Sequence, residues 1–142
     1  MLFKNTKHIL LVEDDYIDIM TVKRAFKELK ASVQLKIVYD GEQALQYLRD
    51  ESNRRPSLIL LDLNMPRLNG LEFLKIVKND DTLRKIPVIV LTTSKDERDL
   101  DESFNFSVAG YIVKPIEFNQ FLDSMMAFMK YWSINQLPDS VV

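Results

Sequence analysis

SLILLDLNMPRLNG, residues 57–70, is the stretch whose reading decides the fold. Its first five residues are leucine-rich, carry a β-branched isoleucine and are bounded by turn and charged residues, so they read as a short buried strand. The strand stops on Asp62. The turn residues Asn64-Met65-Pro66 follow, and a helix starts near 68–70 and runs to about 78. Three other runs repeat this grammar: HILLV (8–12) ends on Glu13-Asp14, PVIVL (87–91) on Thr92-Thr93, and YIV (111–113) on Lys114-Pro115. A fifth strand reads over VQLKIV, 33–38. Amphipathic stretches lie between them: about 16–30, the segment after Asp40-Gly41, about 96–106 and about 117–133. Regular β-α alternation predicts a parallel sheet. The expected class is therefore α/β, a doubly wound five-stranded sheet of order 2-1-3-4-5 with five flanking helices. Open sheets of this kind bind ligands at the carboxyl ends of their strands, where the order reverses. Two acids, a third acid, a hydroxyl and a lysine should thus share one rim.

The composition narrows the chemistry. The 142 residues are enough for one domain with a real core. A net charge of −2 leaves no electrostatic footprint for nucleic acid or an anionic membrane, so neither is an expected partner. There is no cysteine, which excludes disulfides and thiolate chemistry, and the single histidine, His8, cannot build a zinc site and reads as a strand-edge residue. The opening MLFKNTKH lacks the apolar core of a signal peptide, and a cytoplasmic location is expected.

Taken singly, Asp14 or Asp15 would be read as a helix cap, Asp62 as a turn former and Thr92 as a β-former. The topology sets Glu13 and Asp14 beside Asp62. Carboxylates that close repel one another, and a hard cation relieves the repulsion. Mg²⁺ is expected, with Mn²⁺ as an alternative, because such ions take one or two carboxylates, waters and phosphoryl oxygens. The backbone carbonyl of Asn64 is a candidate further ligand. On its central strand, Asp62 is the candidate nucleophile toward a phosphoryl donor. Lys114 would neutralise charge on the transferring group, and Thr92 would hydrogen-bond one of its oxygens.

VEDD (12–15), LLDLNMPRLNG (60–70), PVIVLTTS (87–94) and GYIVKP (110–115) resemble the receiver domain of two-component response regulators, the CheY-like family. The resemblance covers about 8–132. It implies a metal-binding acid pair at Glu13 and Asp14 and a phosphoacceptor at Asp62. It further implies a metal contact from the Asn64 carbonyl, a switch hydroxyl at Thr92, a phosphate-contacting lysine at Lys114 and an aromatic switch at Tyr111. The family's lysine–proline bond is usually cis, which would apply to Lys114-Pro115. It implies a phosphoacceptor that promotes its own phosphorylation by a histidine kinase, rather than a turnover enzyme. The receiver would span 1–133, with a tail at 134–142 and no effector domain. The long aromatic final helix ending in YW, Leu137-Pro138 and the string TVKRAFKEL resemble the single-domain regulators paired with phytochrome-type kinases. Thr93 departs from the small residue often found there and is expected to slow dephosphorylation.

Other readings of an aspartyl nucleophile or of this topology fit less well. A haloacid-dehalogenase-type phosphatase wants an acid two residues after its nucleophile, where Asn64 stands. A flavodoxin-like site wants a hydroxyl- and glycine-rich loop where EDDYID stands, and glycine occurs only at 41, 70 and 110, which excludes a P-loop. A pseudo-receiver would have lost an acid or the lysine.

Two helices shape the expected surface. The fourth is mostly polar, anchored by Leu100, Phe104 and Phe106, and should be the least stable element. The fifth carries more apolar residues than one sheet face needs, and a homodimer through helix 4, strand 5 and helix 5 is expected, with Phe128 and Trp132 at the interface.

Overall fold

The computed structural model describes residues 7–30, 33–65 and 67–134. Strands β1 (Lys7–Val12), β2 (Val33–Val38), β3 (Leu58–Leu61), β4 (Val88–Thr92) and β5 (Gly110–Val113) alternate with helices α1 (Tyr16–Glu28), α2 (Gly41–Arg49), α3 (Gly70–Lys78), α4 (Glu97–Asn105) and α5 (Phe118–Ile134). One 3₁₀ turn, Leu83–Lys85, has no counterpart in the sequence reading. All strands are parallel and their order is β2-β1-β3-β4-β5, as expected. The expected tail lies, after Ile134, outside the described residues.

Period-two alternation builds two cores. Leu10, Val12, Ile59, Leu61, Val88 and Val90 face α2 and α3; Ile9, Leu11, Leu58, Leu60, Ile89 and Leu91 face α1 and α5. Strands buried on both faces read as continuous apolar runs. His8 is buried at the start of β1, with Nε2 and the Tyr47 hydroxyl 2.7 Å apart. It lies at the start of its strand and at the opposite end of the sheet from the rim, as expected.

The register brings the strand ends level. Val12 pairs with Leu61, Leu61 with Val90, and Val90 with Tyr111. Side chains at or just beyond the carboxyl ends of β1, β3, β4 and β5 share one rim. Helix caps then fix the loops. Asp15 caps α1 by accepting from the Ile17 and Asp18 N–H groups, which leaves Asp14 for the rim. Asn69 and Glu72 form a capping box at α3. Gly70 allows α3 to start against the acceptor loop: a Cβ there would lie 2.4 Å from Leu63 Cα and 2.6 Å from the Asp62 carbonyl oxygen.

Two surface expectations are corrected. Trp132 is 2% exposed and packs in the core shared by α1 and α5, with Phe121, Met125 and Met129. The wide apolar arc of α5 has two neighbours to cover, the sheet and α1, so it leaves no surplus at Trp132. Phe128 is half-buried, its ring 5.3 Å from the Trp132 ring. On α4, Leu100 and Phe104 point outward and are exposed; of the three expected anchors only Phe106 packs on the core, and the buried residue of the helix is Ser103.

Candidate functional site

Backbone hydrogen bonds carry the sheet one step past its strands and hold the rim residues in place. The Asp62 N–H donates to the Val12 carbonyl (3.0 Å), the Glu13 N–H to Val38 (3.0 Å), and the Lys114 N–H to Thr92 (2.7 Å). One carboxylate oxygen from each of Glu13, Asp14 and Asp62 lies within 4.8 Å of the others. Glu13 and Asp62 are buried and Asp14 is exposed. Asp62 also accepts from the Asn64 N–H at 3.1 Å.

Lys114 reaches this cluster from the end of β5, and a cis Lys114–Pro115 bond follows it. Its ammonium is buried and pairs closely with Glu13, with Asp18 Oδ2 at 2.8 Å and with Asp62 Oδ2 at 3.6 Å. Burial pushes Glu13 up to about 7, with the Asp62 charge adding to the rise and the Lys114 hydrogen bond opposing it. Asp62 is raised as well, chiefly by burial, against the Asn64 N–H that stabilises its anion. Burial alone would lower Lys114, but hydrogen bonds to Asp18 and Glu13 more than offset it and hold the ammonium above its ordinary range.

Thr92 is fully buried at the end of β4. Its hydroxyl accepts from the Asn64 side-chain amide (3.2 Å) and the Ser94 N–H (3.2 Å). The same amide donates to Thr93 at 2.8 Å, so Asn64 and Thr93 form a bridge beside Asp62. The half-buried Tyr111 donates its hydroxyl to the Ser94 carbonyl at 3.2 Å. Ser94 in turn donates to Asp99 of α4 at 2.5 Å, which connects hydroxyl, aromatic ring and helix through one residue.

Glu13, Asp14, Asp62, Thr92 and Lys114 thus converge, with Asn64 alongside and Tyr111 linked through Ser94. Phe128 and Trp132 stand apart, on α5. Reading the sequence missed Asp18, Ser94 and the side chain of Asn64. Asp18 sits one helical turn after Asp14, the only signal that could have pointed to it. The donor set suits a divalent cation: three oxygen donors converge, and two buried members are raised by burial in like-charged company.

Fold and site together define a receiver domain, and the chain belongs to the response regulator receiver domain family, whose sequence pattern matches residues 9–126. It is 39% identical over 127 residues to the probable methanogenesis regulatory protein FilR2 of Methanothrix harundinacea, covering 87% of this chain and 82% of that one. It is 36% identical to the response regulator Rcp1 of Synechocystis sp. over 89% of this chain and 88% of Rcp1. The crystal structure of the Mn²⁺-bound form of Rcp1 superposes with a TM-score of 0.82 over 93% of this chain and 99% of that one. That of the phosphorylated cyanobacterial phytochrome response regulator RcpA gives 0.84 at 38% identity, over 95% and 100%. Among the described residues no helix is long and apolar enough to cross a membrane.

Proposed function

We propose that this chain is a response regulator that accepts a phosphoryl group on Asp62 from a histidine kinase of the phytochrome type, with Mg²⁺ or Mn²⁺, and passes the signal on by changing a binding face. The observation that carries this reading is the convergence of Glu13, Asp14 and Lys114 on the Asp62 carboxylate. The manganese of Rcp1 and the phosphoryl group of RcpA support it.

Glu13, Asp14, Asp62 and the Asn64 carbonyl would hold the cation, Glu13 through water. When bound, it neutralises charge on the entering phosphoryl oxygens. The chain's residues do the rest. An Asp62 carboxylate oxygen attacks phosphorus as the donor's P–N bond breaks, and the donor imidazole leaves with the bonding pair and takes up a proton. Lys114 and the Thr92 hydroxyl stabilise the transferred oxygens from the other side. The acceptor is consumed and must be regenerated by hydrolysis, so the chain is a substrate that assists its own modification rather than a turnover enzyme.

The switch follows from the hydrogen bonds. Drawing Thr92 toward the phosphoryl group breaks its contacts with Asn64 and Ser94 and frees the Ser94–Tyr111 link, so Tyr111 turns inward. Coupling of this kind is typically about 1–3 kcal/mol. The weakly anchored α4 is the element it moves. Leu100, Tyr111 and Val113 line one cavity on this side, and a second copy of the chain across α4, β5 and α5 is the simplest partner for that face. Phosphorylation with acetyl phosphate tests the reading. A phosphoryl adduct by intact mass that requires Mg²⁺ and accompanies changed hydrogen exchange over 92–111 is expected. An adduct indifferent to chelator refutes the metal assignment, and unchanged exchange refutes the switch.

A further inference from the structure

The Lys114 ammonium has three N–H donors and faces three carboxylates, and two of the three are closer to it than Asp62 is. Glu13 is one of these and belongs to the cation cluster. Asp18 is the other and does not. An acid in the first turn of a helix is ordinarily explained by the helix dipole alone. Asp18 does more than that. Its carboxylate is 16% exposed, turned toward the sheet, and meets Lys114 at 2.8 Å. With Glu13, its hydrogen bond holds Lys114 charged against its burial. The backbone fixes its place, because the Asp18 N–H is tied to the capping Asp15 at 3.1 Å.

We propose that Asp18 is a positioning residue that restrains Lys114 in the resting protein and competes with the phosphoryl group for its ammonium. The proposal rests on the reading of Asp62 as phosphoacceptor. Two effects act with one sign. Phosphorylation places new anionic oxygens beside Asp62, and a Lys114 shared with Asp18 gives them only part of its charge. Asp18 also adds a negative charge to the rim that no cation ligation would offset. Both favour the unphosphorylated state, so Asp18 sets how readily the switch is held on.

Asp18→Asn tests this, since the amide keeps an acceptor of the same size while removing the charge. Binding of beryllofluoride, a phosphoryl analogue, with Mg²⁺ should tighten by about tenfold, the equivalent of about 1.4 kcal/mol. Hydrolysis of the aspartyl phosphate should slow in step. A second readout needs neither metal nor analogue: the Lys114 ammonium, followed by nitrogen-15 resonance, should exchange its protons with water faster in Asp18→Asn than in the wild type. A merely structural or dipolar Asp18 would leave that exchange unchanged. Unchanged or weaker beryllofluoride binding in the variant, or unchanged ammonium exchange, overturns the proposal. If the wild type itself fails to bind beryllofluoride, it is the Asp62 reading that falls, and the exchange measurement still decides whether Asp18 holds Lys114.

Discussion

Replacing Lys114 by methionine, which keeps the stem and removes the charge, should destabilise the metal-free protein by about 3–5 kcal/mol at pH 8, the usual cost of stripping one partner from a buried ion pair. The distances give the scale. At an effective dielectric constant of about 20, unit charges 2.8 Å and 3.6 Å apart attract by about 6 and about 5 kcal/mol, before the ammonium's own desolvation is recovered. For a domain of this length the loss corresponds to roughly 10–15 °C in Tm. It should also depend on pH. Glu13 titrates at about 7 in the fold against an ordinary 4.5, so its ionisation costs the native state more as pH rises through that window, and below it the proton replaces the lysine's charge. Removing Lys114 raises Glu13 further, so the loss should be smaller at pH 5 than at pH 8. Urea denaturation of wild type and variant, followed by circular dichroism at both pH values with chelator present, measures it. A loss below about 1 kcal/mol at pH 8, or one independent of pH, would refute the buried-network reasoning.

Three further outcomes are expected. Asp14→Ala should raise the melting temperature of the metal-free protein, because it removes charge that bears on Asp62, while weakening Mg²⁺ binding; calorimetric titration showing unchanged affinity would place the cation elsewhere. Gly70→Ala should cost about 1–3 kcal/mol in equilibrium unfolding and slow phosphorylation, because the new Cβ meets the Asp62–Leu63 backbone and only the loop or α3 can yield. Trp132→Ala should cost about 3–5 kcal/mol and Phe104→Ala no more than about 0.5 kcal/mol, a contrast that thermal melts would read directly.

The rim was legible in the sequence because a parallel sheet makes strand ends equivalent. Once 57–61 and its three companions are strands, the residues just past each run must meet, whatever the loops do. What stayed hidden depends on how helices roll. Asp18 projects from α1 onto a lysine that is distant in sequence, and its type is ordinary for a first turn. Leu100 and Phe104 mark an apolar stripe on α4, yet the helix turns that stripe outward and buries Ser103. The arc on α5 was matched to one sheet face, whereas α1 shares the same core and absorbs Trp132. The Asn64–Thr92–Thr93 bridge is a choice among side-chain rotamers, which periodicity does not encode.

The central claim, that Asp62 takes the phosphoryl group, is tested most directly by locating the modification. Borohydride reduction of the phosphorylated chain converts an aspartyl phosphate to homoserine, and tandem mass spectrometry then reads its position. The account predicts homoserine at position 62 alone and no adduct in Asp62→Asn. Homoserine at Asp14 or elsewhere in the wild type, or an adduct that persists in Asp62→Asn, would contradict it.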